Sequence, residues 1–246
     1  MDLAGRVVLV TGTKRVGAAV AAGAAAAGAD VAVAFRHSRD EAGRACDAVR
    51  RAGRRAISVR ADLSVGEQCA GLVTETVRQL GRIDVLVNMA STYEPTPFAD
   101  LTEATWDRGL AVDLKAAFLC ATAAAPHMRD AGGGRIVNFA DWLPASGRTR
   151  YTGFLPYYVA KGGVIALTEA LALELAGWNI LVNAVAPGPI LAPPGMSAED
   201  AVAVEQATPV GRWGGENEVV KAVLFLIASD FVTGEVLRVD GGRHLR

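Results

Sequence analysis

Short, mostly apolar runs recur along the chain: Val7–Val10, Val31–Phe35, Ala56–Val59, Val85–Val87, Ile136–Phe139, Ile180–Val185 and Val236–Val239. Runs of this length, rich in β-branched residues, predict strands buried on both faces, as in a parallel sheet covered by helices. Between them the apolar positions change to helical spacing. Ala42, Ala45, Cys46 and Val49 make one stripe, and Cys69, Leu72, Val73, Thr76 and Leu80 another. Strand and helix alternate from residue 6 to about residue 185. That alternation predicts βαβ crossovers and an α/β fold, a doubly wound parallel sheet with helices on both faces.

No repeat or low-complexity linker divides the chain, so residues 1–246 read as a single domain. One stretch, 186–209, reads as irregular, with five prolines and two glycines. It follows a strand at the carboxyl edge, where open α/β sheets bind ligands, and is expected to be a substrate lid.

Composition narrows the function classes. Hydrophobic residues make up 51% and charged residues 21% of the 246 residues, a balance that supports a large core. With a net charge of -1, nothing points to nucleic acid or an acidic membrane surface, and a small-molecule substrate is expected. Cys46, Cys69 and Cys120 are sparse and odd in number, which fits a reducing compartment. His37, His127 and His244 are equally scattered, so no metal site is expected. The chain starts without a basic or apolar leader, and the Ala/Gly run at 18–29 is too short to span a bilayer. A cytoplasmic location is the expectation.

The first strand runs into Thr11-Gly12-Thr13-Lys14-Arg15-Val16-Gly17 and then an Ala-rich helix. Glycines at such a turn let the backbone approach a pyrophosphate, which the helix N-terminus favours. The second strand ends at Arg36, His37 and Ser38, without the acidic residue that holds a ribose 2′-hydroxyl in NAD-specific domains. Arg36 and Ser38, with Lys14 or Arg15, suit a 2′-phosphate instead, so NADPH is the expected cofactor. Asp62 and Leu63, then Asn88, Ala90 and Ser91, follow the third and fourth strands and are expected to flank the dinucleotide. Tyr157 and Lys161 stand four apart in an apolar helical segment, one turn apart on one face. A cation there would lower the phenol's pKa toward a value useful for proton transfer. Tyr151 and Tyr158 are rival phenols without that spacing.

The glycine turn, the Asn88–Ser91 run, Tyr157-x-x-x-Lys161, Pro187-Gly188 and Val239-Asp240-Gly241-Gly242 together resemble the short-chain dehydrogenase/reductases, in order along essentially the whole chain. The resemblance implies a Rossmann-type domain in which Tyr157 donates a proton to the substrate. It implies that Lys161 holds the nicotinamide ribose, that Pro187 and Gly188 contact the cofactor, and that the enzyme is a homotetramer packed through the 157–176 helix.

Two departures from the family pattern mark the catalytic end. Asp141 stands where most members have serine, and Asp113 where most have asparagine. Lys14-Arg15, Asp141 and Asn88-Met89-Ala90-Ser91-Thr92-Tyr93-Glu94-Pro95-Thr96-Pro97 resemble the pteridine reductases within the family. That likeness implies C=N reduction in a pterin-like ring, with Tyr93 stacked on the ring and Arg15, Asp141 and Tyr157 on its heteroatoms. The alternative is a 3-oxoacyl thioester or other carbonyl substrate, and a third reading is a non-catalytic NADP(H)-sensing protein. Asp141 and Tyr157 are 16 residues apart, longer than usual, with Arg148–Gly153 the expected insertion. Asp141 could alternatively cap a turn and face away.

Overall fold

The computed structural model describes residues 1–147 and 152–246. Among them, β1 (Val7–Val10), β2 (Asp30–Phe35), β3 (Ala56–Arg60), β4 (Val85–Asn88), β5 (Gly134–Phe139), β6 (Ile180–Pro187) and β7 (Val236–Val239) form one parallel sheet. Its order is β3-β2-β1-β4-β5-β6-β7, so the direction of winding reverses between β1 and β4. Side chains alternate across the sheet: Val8 and Val10 enter one core, Val7 and Leu9 the other. Each fully buried valine or leucine contributes about 1.5–3 kcal/mol.

The first core lies under α1 (Val16–Ala26), α2 (Arg39–Arg51) and a later helix, Glu216–Ala228. The second lies under α3 (Gly66–Leu80) and under a helical stretch that runs from Glu103 to Asp130. That stretch comprises α4 (Glu103–Leu110), a π-helical turn (Ala111–Lys115) and α5 (Ala116–Asp130). By length and a mean hydropathy of 1.3 it could cross a membrane, but Ala121, Ala124 and Met128 are core residues packed with α3. After β5 come the short α6 (Trp142–Ala145), α7 (Leu155–Leu175), α8 (Ala198–Ala207) and α9 (Glu216–Ala228). The stripes expected on α2 and α3 are the buried faces of those helices.

Two expectations need correction. Burial on both faces holds for the five inner strands only: β3 and β7 are the sheet's edges, and their side chains are partly exposed. The 186–209 stretch is also less irregular than its prolines suggest. β6 runs on to Pro187, and α8 fills the far end, its Ser197 cap accepting from the Asp200 amide at 3.0 Å. The Ser197-x-x-Asp200 spacing was a readable helix start.

Candidate active site

The site lies along the carboxyl ends of the strands, over the β1/β4 reversal. The glycine turn opens it. A Cβ on Gly17 would sit 2.0 Å from the Gly12 carbonyl oxygen, so only glycine lets the turn close onto α1. The first turn of α1 holds no acidic residue, leaving its amides and partial positive charge to an anion. Thr11 Oγ1 accepts from the amides of Met89 (2.9 Å) and Ala90 (3.3 Å), joining this turn to the loop after β4. Thr11 thus sets the spacing of the two loops, a part the sequence reading did not give it.

A cavity of about 310 Å³ runs from Gly12 and Lys14 to Arg36, His37 and Ser38, with Asp62, Leu63, Ala90 and Ser91 on its walls. Arg36, half exposed, pairs with Asp62 at 2.9 Å. Hydrogen bonds from Ser64 and the nearby Arg36 charge hold the Asp62 carboxyl below its usual range, although partial burial opposes them. A second cavity, about 360 Å³, carries Val16, Tyr157, Lys161, Pro187 and Gly188 and shares Lys14, Met89 and Ser91 with the first. Together they make an elongated groove with a glycine turn and helix N-terminus beside it and a basic group at one end. These residues fit a nicotinamide dinucleotide.

Asn88 and Arg15 both stand at the site and also make contacts within the protein. The Asn88 amide donates to Asn138 Oδ1 at 2.9 Å and ties β4 to β5, while its buried Oδ1 has no hydrogen-bond partner among the described residues. Arg15 adopts a positive φ of 54° at the start of α1. Its guanidinium donates to the carbonyls of Leu191 (2.5 Å) and Ala192 (3.2 Å). Through Nη2 it joins the glycine turn to the 186–209 segment, and it also lines the second cavity.

At the catalytic end, Asp141 caps a turn as one reading expected, but it does not face away from Tyr157. Its Oδ1 caps α6 by accepting from the Leu143 amide at 2.8 Å, and its Oδ2 accepts from the Tyr157 hydroxyl at 2.9 Å. Burial pushes the Asp141 carboxyl up, against the Leu143, Tyr157 and Lys161 contacts that favour its charge. Lys161 is buried, donates to the Phe139 carbonyl at 2.9 Å, and stands 3.5 Å from Asp113 Oδ1. Burial lowers its pKa, and the two carboxylates resist that shift. The expectation of an acidified Tyr157 is reversed. Burial and then the Asp141 charge push the phenol well above its ordinary value, with Asp113 adding to the effect. A helix-face argument counts the nearby cation but not burial or carboxylates from other elements.

Tyr93, at φ 43°, stacks on Phe154 with centroids 4.9 Å apart and meets Tyr157 edge-on at 4.9 Å. The ring expected to stack on a heterocycle is thus part of an aromatic wall beside the Tyr157 hydroxyl. Tyr158, the rival phenol, lines the same cavity, as do Phe154, Trp142 and Trp213, which the sequence reading does not single out. Trp142 directly follows Asp141 and Phe154 stands three residues before Tyr157, which was the signal available for them. Tyr151 and most of the expected Arg148–Gly153 insertion lie outside the described residues; Gly153 accepts from the Thr96 amide at 2.6 Å.

Comparison with known proteins agrees with this geometry. A family profile described as Enoyl-(Acyl carrier protein) reductase matches residues 11–244. The chain is 38% identical over 246 residues to cis-4-hydroxycyclohexanecarboxylate dehydrogenase of Sinomonas cyclohexanicum, covering 96% of each. It is 32% identical over 243 residues to a 3-oxoacyl-[acyl-carrier-protein] reductase of Staphylococcus epidermidis, covering 96% of this chain and 98% of that one. Among solved structures, 7α-hydroxysteroid dehydrogenase complexed with NADH and 7-oxo glycochenodeoxycholic acid superposes with a TM-score of 0.91 at 30% identity. That match covers 98% of this chain and 95% of the other. The chain belongs to the short-chain dehydrogenase/reductase family of oxidoreductases. The pteridine reductase likeness gains no support from these relatives.

Proposed function

We propose that this protein reduces a carbonyl compound to its alcohol with NADPH, with Tyr157 as the proton donor. The observation that carries the reading is the Tyr157 hydroxyl at the wall of the second cavity, hydrogen-bonded to Asp141 at 2.9 Å with the Lys161 ammonium 5.6 Å from its ring. A reduced nicotinamide dinucleotide bound in the groove would supply the hydride. Tyr157 gives its proton to the carbonyl oxygen as negative charge develops there, and the Lys161 cation stabilises the phenolate left behind. An ionised Asp141 about 4 Å from that oxygen would oppose the charge by roughly 4 kcal/mol at an effective dielectric of 20. Burial raises the Asp141 carboxyl and so favours the neutral acid, which in that form would offer its O–H as a second donor to the oxygen. The aromatic wall of Tyr93, Phe154 and Trp142 suits a substrate with a ring or other apolar body.

The relatives named above support a carbonyl or alcohol substrate over a pterin. The test offers NADPH with an acetoacetyl thioester, a cyclohexanone and dihydrobiopterin in parallel, following NADPH oxidation. Turnover of either ketone without the pterin supports the reading. Turnover of the pterin alone replaces it with C=N reduction, in which an ionised Asp141 would accept from ring N–H groups.

NADPH over NADH rests on Arg36, with His37 and Ser38, where β2 ends without a carboxylate. Asp62 holds the guanidinium at the cavity wall and competes with a phosphate for it. Arg36→Ala is expected to raise the KM for NADPH by about 10–100-fold, as for loss of a charged hydrogen-bond partner, and to leave that for NADH nearly unchanged. Equal KM changes for both would place the 2′-phosphate elsewhere. Leu155, Val159 and Leu173 on α7 are exposed, which supports assembly of a homo-oligomer through that helix.

A further inference from the structure

Asp113 is a carboxylate with no exposed side-chain surface, carried on the π-helical turn between α4 and α5. Such turns re-aim a side chain within a helix and recur at functional sites. Its two oxygens face different parts of the site. Oδ2 accepts from the Thr92 amide at 3.1 Å and the Thr92 hydroxyl at 2.8 Å. Oδ1 has no hydrogen-bond partner among the described residues and lies 3.5 Å from the Lys161 ammonium, an ion pair rather than a close hydrogen bond. The residue after Thr92 is Tyr93, whose strained backbone places its ring against Phe154 and Tyr157.

The charged and titratable groups around this pair come from several elements. Tyr157, one turn from Lys161, has its ring 5.6 Å from the ammonium. Asp141 approaches from the end of β5, and its charge also acts on Lys161. The Phe139 carbonyl accepts from Lys161, while Thr11 and Asn88 close the small cavity beyond it. Of the two carboxylates, Asp141 is engaged by the Leu143 amide and the Tyr157 hydroxyl. Asp113 is the one whose remaining oxygen points at the ammonium.

We propose that Asp113 is a positioning residue with two separable tasks: Oδ1 is the counter-ion of buried Lys161, and Oδ2 tethers the Thr92 turn that sets Tyr93 against Tyr157. The proposal gives the catalytic lysine a permanent partner within the protein and ties that partner to a wall of the substrate cavity. It rests on the reading of Tyr157 and Lys161 as the catalytic pair.

Asp113→Asn separates the tasks, because the amide oxygen can still accept from Thr92 while the charge is gone. A buried ammonium without its counter-ion sheds its proton in the folded state sooner than in the unfolded chain. The unfolded state then binds more protons, so the variant gains stability as pH rises toward the ordinary lysine range. The thermal-unfolding gap between Asp113→Asn and the parent is expected to close by about 3–6 °C per pH unit there. A gap of constant size at every pH overturns the counter-ion task. Should Asp113→Asn fail to fold, adding Lys161→Met decides the same point: recovery of folding supports the pairing, and a double variant no better than the single overturns it. Thr92→Val keeps the ion pair and removes the hydroxyl bond. It is expected to raise the substrate KM several-fold with kcat little changed and a stability gap that does not vary with pH. An unchanged KM overturns the tether. The unfolding measurements decide the counter-ion task even if no carbonyl compound is turned over, so failure of the assigned reaction and failure of this assignment remain distinct.

Discussion

Tyr157→Phe is expected to lower kcat for carbonyl reduction by about 10²–10⁴-fold, the usual contribution of a positioned general acid. The substitution removes one oxygen and leaves the ring that packs edge-on against Tyr93 at 4.9 Å. Dinucleotide affinity should therefore stay within a few-fold, as read by a fluorescence titration alongside steady-state kinetics. Burial raises the parent phenol's pKa, so its proton is available for donation. A loss of less than tenfold would mean that another group delivers the proton, Asp141 or Tyr158 being within the same cavity.

Asp141 is the second large effect, and two replacements separate its roles. Asp141→Ala removes both the cap on the Leu143 amide and the second donor to the developing oxyanion, and a loss of about 10²–10³ in kcat is expected. Asp141→Asn keeps an acceptor for Leu143 and a permanent N–H donor. Its activity should be closer to the parent's and should outlast it as pH rises. The sign follows from the direction of the shift. The Asp141 carboxyl is raised above its ordinary value by burial, so the neutral acid is fully present below that ordinary value. It is lost as pH rises through the raised one, taking reduction with it, and asparagine has no such limb. Parallel pH profiles of kcat for parent and Asp141→Asn read this directly. An Asp141→Asn variant as impaired as Asp141→Ala, with the parent's pH limb intact in both, would show that the charged carboxylate is what the reaction uses.

The sheet was legible because its information is local. Val7–Val10 and Val236–Val239 coincide with strands, and the stripes on α2 and α3 match their buried faces. The glycine turn and the Tyr157/Lys161 spacing were legible for the same reason. What could not be read depends on distant pairs. Asp141 and Tyr157 meet because Asp141 caps α6, whose four residues turn the chain after β5; the residue count between them carries no trace of that turn. Arg15 reads as a phosphate or substrate ligand from its place in the glycine turn and from the resemblance, and its bonds to carbonyls 176 and 177 positions further on leave no local signal. The direction of the Tyr157 shift was misjudged because the helix face displays Lys161 but not the burial supplied by other elements. The prolines of 186–209 stand on either side of the helix that starts at Ser197.

The two Arg15 bonds to Leu191 and Ala192 also bear on motion. Charge-assisted bonds from one guanidinium to two successive peptide oxygens are stronger than neutral ones and hold a fixed geometry. The residue that makes them carries a strained backbone at the first turn of α1. An outward swing of the segment after β6 would stretch or break both bonds, so the Arg15 side chain is a direct mechanical link between that segment and the turn that lines the other half of the groove.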